Sequence, residues 1–189
     1  MTDDALALGT RKALPDALRV LANALPRSGW EADPNFDGLT RFWLGSNFIF
    51  RNVLNMLRND AQHRLDGEMS PERHLRETER SAGFLLNQLH GHHRIEDQHY
   101  LPQLVGRDAW LGRGFTLLDA GHNALDGHIH AMAETANTYL RANERDAVRN
   151  SLGALHRALA AFERFLDRHL TDEEDLVVPV ILTYAPNLR

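Results

Sequence analysis

Along most of the chain apolar residues return every three or four positions, the spacing of a helix that buries one face, and strand-like alternation is nearly absent. Trp43, Phe50, Leu54 and Leu57 form one such stripe, and Leu85 and Leu89 belong to a second. Leu118, Leu125, Ile129 and Met132 mark a third, and Phe162, Leu166, Leu176 and Val180 a fourth. The Val-rich stretch 177–181 is the one candidate strand, and it continues the fourth stripe. Breakers separate the stripes at Asp66-Gly67, over 106–114 and around 143–145. Ser70 ahead of Pro71 places a capping residue before a proline at the first helical position, which predicts a helix start there. Further upstream, residues 12–25 are amphipathic and lead into a connection carrying Pro26, Gly29, Pro34 and Gly38. The pattern predicts an all-α fold: an antiparallel up-down-up-down four-helix bundle over 38–189, with 1–37 as a short helical extension packed on it.

Polar residues interrupt these stripes where core residues are due. Extending the second stripe beyond Leu89 meets His92 and then Glu96, and extending the fourth beyond Leu166 meets His169 and then Glu173. The third carries His122 between Leu118 and Leu125, with Asp126 a turn further on. Residues four apart lie on one helix face, so each H-x-x-x-E pair can turn an imidazole and a carboxylate toward the same place. Burying three imidazoles and two or three carboxylates unpaired costs several kcal/mol per charge, a cost that a shared metal removes. Composition alone predicts roughly 1.5 His residues with an acid four positions later. The chain has five: His92/Glu96, His93/Asp97, His122/Asp126, His130/Glu134 and His169/Glu173. Pro102 and Pro179 each lie ten residues after His92 and His169, and Asn47 precedes His92 by 45 residues as His122 precedes His169 by 47. The two halves therefore read as a repeated helical hairpin.

Composition narrows the chemistry. A chain of 189 residues with 43% hydrophobic content supports one domain with a substantial core. The net charge of −5 contains no Lys/Arg block of the kind that follows a phosphate backbone, so nucleic acid is not an expected partner. No signal-peptide pattern and no apolar run of about 20 residues is found, so membranes are not expected either and a cytoplasmic location is. Without cysteine, any metal is bound by nitrogen and oxygen.

These motifs resemble the haemerythrin-like, or HHE cation-binding, family, whose pattern is His on the first helix, H-x-x-x-E on the second, His on the third and H-x-x-x-E/D on the fourth. The resemblance covers about residues 38–182. It implies a four-helix bundle with an oxo- or hydroxo-bridged di-iron centre that binds dioxygen or another small diatomic or peroxide ligand. His92, His122 and His169 are then terminal ligands, and Glu96 and Glu173 bridge two irons. Asn47 stands where the family has its first-helix His, and Asp126 where haemerythrins proper carry a further His, so the ligand set is poorer in imidazole. His93 is a candidate to reach the second ion in compensation, and Asp126 is expected either to ligate the metal or to pair with Arg51. His63, His74, His90, His99, His128, His130 and His156 are expected at the surface or behind the ligands.

The leading reading is a metal- and gas-binding protein for sensing, storage or stress response, rather than an enzyme. An oxidoreductase acting on peroxide, dioxygen or nitric oxide is the alternative, as is a bundle holding zinc or a single iron. A ferritin-like site ranks below these, because E-x-x-H occurs once, at Glu96 to His99, and not on two helices. A homodimer through the extension is left open.

Overall fold

A computed structural model describes residues 8–9, 11–105 and 111–184. The described residues are helical and contain no strand. A one-turn helix α1 (Val20–Ala24) is followed by four long ones, α2 (Gly38–Leu65), α3 (Pro71–Ile95), α5 (Leu111–Arg141) and α6 (Arg145–Tyr184), with the short α4 (Leu101–Val105) between α3 and α5. This all-helical architecture is compatible with a helical bundle, and no described helix is long and apolar enough to cross a membrane.

The helix boundaries follow local chemistry. Asp37 Oδ1 accepts from the backbone N–H of Leu39 and Thr40 and so caps α2. Gly67, at φ 79°, takes the left-handed conformation that closes the turn after α2. Ser70 Oγ accepts from Arg73 N at the start of α3. One feature escapes the periodic pattern: α3 does not stop at Ile95 but widens into a π-helical turn, Glu96–Tyr100, before α4. Such turns insert a residue into the helical register and recur at functional sites.

The chain resolves into two compact units. The first contains 1–48, 93–124 and 167–189, and the second 49–92 and 125–166. Each of the four long helices contributes a segment to both units, and the chain passes from first to second along α2 and α5 and back along α3 and α6.

In the first unit Trp43, Leu101, Leu104, Phe115, Leu118, Val177, Val180 and Ile181 form one core cluster, joined by Leu14 and Leu18 from the N-terminal segment. Trp30 seats against Val178 and Leu182 in a second cluster. The amphipathic stretch 12–25 is not one helix. Pro15 holds an extended conformation, and a 3₁₀ turn (Asp16–Leu18), α1 and a further 3₁₀ stretch (Arg27–Ala32) follow in short pieces. This segment covers the outer side of α6, which explains why 176–182 is buried on every face rather than along one stripe. Ion pairs fasten the same contact. Arg11 reaches Asp172 at 2.7 Å, and Arg27 reaches both Glu174 and Asp175. Burial raises the pKa of Asp172, and Arg11 and Arg168 partly offset that rise.

In the second unit Leu54, Leu57, Leu85, Leu89, Leu125, Leu155, Leu159, Phe162 and Leu166 are buried. So is His74, which the sequence placed at the surface or behind the ligands. Its Nδ1 lies 2.7 Å from the Tyr139 hydroxyl, so the phenol supplies a partner that periodicity could not reveal. Burial, with the charge of Arg64, lowers the His74 pKa from 6.5 to about 4. Between those values the unfolded chain takes up a proton that the folded ring refuses, so stability falls as pH drops through that window and is unaffected above it. Urea unfolding from pH 4 to 6.5 should therefore show a steeper loss of stability on acidification for the wild type than for His74→Gln. Equal slopes would exclude a buried neutral imidazole.

Candidate metal centre

Four of the polar residues that interrupt the apolar stripes, Glu96, His122, His169 and Glu173, lie in the first unit, together with His93. His93, His122 and His169 are each buried, and one possible ligand atom of each lies within 4.8 Å of the others. The rings fix one another's planes: His93 stacks on His122 with centroids 4.4 Å apart and 20° between planes, and both meet His169 edge-on, at 5.1 and 4.8 Å. Gly121 makes room for this packing, because a Cβ there would sit 3.0 Å from His169 Nδ1.

Two carboxylates adjoin the imidazoles. Glu96 opens the π turn and is 1% exposed, and Glu173, one turn after His169 on α6, is fully buried. Burial pushes the Glu96 carboxyl well above the ordinary carboxylate range; a hydrogen bond with Glu173 opposes that shift and the charge of Asp97 adds to it. Glu96 Oε2 lies 3.4 Å from His122 Nε2, and Glu173 Oε2 lies 3.8 Å from His169 Nε2. On the other side of Glu173, Oε1 accepts from the Trp43 indole N–H and from Asn47 Nδ2, the latter at 3.4 Å. Asn47 Nδ2 also faces Glu174 Oε1 at 3.3 Å. Asn47 thus acts as a donor to two acids.

The donor set suits a metal ion. It is all nitrogen and oxygen, it combines neutral imidazoles with buried carboxylates, and it excludes water. Two buried atoms, His122 Nε2 and Asn47 Oδ1, have no hydrogen-bond partner among the described residues, the condition expected where an absent ion completes the network.

The sequence model of the Hemerythrin HHE cation binding domain matches residues 40–181. The chain belongs to that family. No match was found among the curated proteins or among the solved structures. Family membership carries cation binding with it, and the His/Glu cluster is a candidate place for the cation among the described residues.

Of the remaining expected residues, His92 is half-buried in the second unit, edge-on to Phe50 at 5.2 Å, and its neighbour His93 is buried. Both lie close to the stripe through Leu85 and Leu89. The run 89, 93, 96 leads into the π turn. Asp126 is brought neither to the imidazoles nor into the first unit. Its side chain is 58% exposed and lies 3.6 Å from His90. The reason is rotational: Leu125, three residues after His122, holds the buried centre of α5, and the next residue turns about 100° away. Three residues of this neighbourhood went unnoticed in the sequence: Trp43, taken as plain core, Asp97, and Gly121. Asp97 alone left a trace, as the acid four residues after His93.

Gly121→Ala should keep or slightly raise helical stability, by about 1 kcal/mol or less, yet displace the His169 ring and lower the metal bound per chain. Equilibrium dialysis together with far-UV circular dichroism separates the two effects. Full metal content in that variant would show that the His169 ring position is not needed.

Proposed function

We propose that this HHE domain is a non-haem iron protein whose centre is di-iron and binds dioxygen or another diatomic or peroxide ligand in sensing, storage or stress response. The observation that carries the reading is the meeting of three buried imidazoles with two buried carboxylates, Glu96 beside His122 and Glu173 beside His169. His93, His122 and His169 are the nitrogen ligands in this reading, Glu96 and Glu173 the shared carboxylates, and His92, one turn before Glu96 on the same helix, a further nitrogen ligand. Iron held by such a set would supply a Lewis-acidic, redox-active centre. The chain's own residues bind, orient and exclude water. Trp43 and Asn47 hold one oxygen of Glu173, which fixes the plane of that carboxylate, and the stacked rings of His93 and His122 restrain each other's tilt. The alternating passage of the four long helices between the two units supports an up-down-up-down antiparallel arrangement, with 1–37 as a segment packed beside it.

A second reading, a single iron or zinc, is favoured by Asn47, because the amide at the family's first-helix His position is engaged with Glu173 and Glu174. Metal analysis of the purified chain and its visible spectrum in air and after reduction decide between the readings. About two irons per chain with di-ferric absorption bands support the di-iron centre. One iron or zinc without such bands supports the mononuclear one. His169→Ala or Glu173→Ala should abolish most metal binding, and His74→Ala should not. Asn47→His should raise the metal-to-protein ratio, and no change there counts against Asn47 marking the site of the lost ligand.

A further inference from the structure

The π turn does more than carry Glu96 into the centre. It sets two adjacent acids, Glu96 and Asp97, against opposite nitrogens of one imidazole. Asp97 Oδ1 lies 2.7 Å from His122 Nδ1, while Glu96 Oε2 lies 3.4 Å from His122 Nε2. A separation of 2.7 Å belongs to a charge-assisted hydrogen bond, with Nδ1–H donating and the carboxylate accepting. That bond selects a tautomer, because a neutral imidazole carries one proton and a proton on Nδ1 leaves the lone pair on Nε2. Nε2 is the buried nitrogen without a hydrogen-bond partner. The stacked His93 ring fixes the plane of His122 but not which ring edge points inward, since a half-turn of the ring preserves the stack. The bond to Asp97 fixes the edge.

We infer that Asp97 is the positioning residue of the metal centre, holding His122 as the Nδ1–H tautomer with Nε2 presented to the ion. The inference rests on the metal-binding reading above, and it assigns to Asp97 a role that the HHE motif does not contain. Ligand imidazoles are commonly oriented through their second nitrogen by a carboxylate, and loss of such a partner typically costs about 10–100-fold in metal affinity. An exposed ion pair with no such role contributes little or nothing measurable. The 36% exposure of the Asp97 side chain makes that the natural competing account, and the two differ in what they expect at His122.

The test uses the full chain labelled with ¹⁵N-histidine, titrated anaerobically with Fe(II) and, separately, with Co(II). In the metal-free wild type, His122 should show a protonated Nδ1 and an unprotonated Nε2. Asp97→Ala should mix the tautomers and weaken both metals about 10–100-fold. Asp97→Asn, which keeps the shape and an acceptor oxygen, should retain the Nδ1–H tautomer and lose less affinity, and so guards against a folding defect in the alanine variant. Asp119→Asn, an exposed acid on α5, should change nothing. Wild-type affinity in Asp97→Ala, or a proton on Nε2 in the wild type, overturns the assignment alone. A wild-type chain that binds neither metal overturns the reading beneath it as well, and the two failures are distinguished by the wild-type titration.

Discussion

Acids and imidazoles that have left water need partners, and the arrangement of the first unit follows from that requirement. Glu96 and Glu173 lie side by side where solvent cannot hydrate them, and two negative charges so placed repel strongly. The surrounding residues answer this in distinct ways. Trp43 and Asn47 donate to Glu173, and His122 and His169 each turn Nε2 toward a carboxylate. A cation is the remaining and strongest means of balancing the charge, and the family to which the chain belongs binds cations.

The same need organises the residues around the centre. Of the acidic run 172–175, Glu173 is turned inward. Asp172 is matched by Arg11 and Arg168, and Glu174 and Asp175 by Arg27. Asp172, Glu174 and Asp175 are therefore each held by an arginine from outside α6, and the backbone that presents Glu173 is fixed on both sides of it. The N-terminal segment that supplies Arg11 and Arg27 also brings Leu14, Leu18 and Trp30 to the core, so apolar and ionic contacts act on one stretch of helix.

Much of this was legible in the sequence, for identifiable reasons. Period and breakers located the four long helices, because a buried face must repeat with the helical turn whatever its neighbours are. His122, His169, Glu96 and Glu173 stood out because they are polar at positions where the stripe demands apolar residues. What stayed hidden depends on register or on partners distant in sequence. The π turn that carries Glu96 and Asp97 has no compositional signal. His74 is buried because Tyr139, 65 residues away, meets its ring. Asp126 fell outside because a spacing of four overshoots a full turn by about 40°. The pieces of the N-terminal segment are shaped by Pro15 and by the surface of α6 rather than by their own periodicity.

The seat of the N-terminal segment on α6 joins stretches of chain that lie 144 to 161 residues apart. Residues 11–30 leave the ribosome long before 171–182, so their arginines and leucines wait through the synthesis of everything between before their partners exist. Contacts of such sequence separation form late, because the entropy of closing the intervening loop is spent before they return anything. Glu173 lies inside that late-closing stretch, and its surroundings are therefore completed only when residues 11–30 have met 171–182.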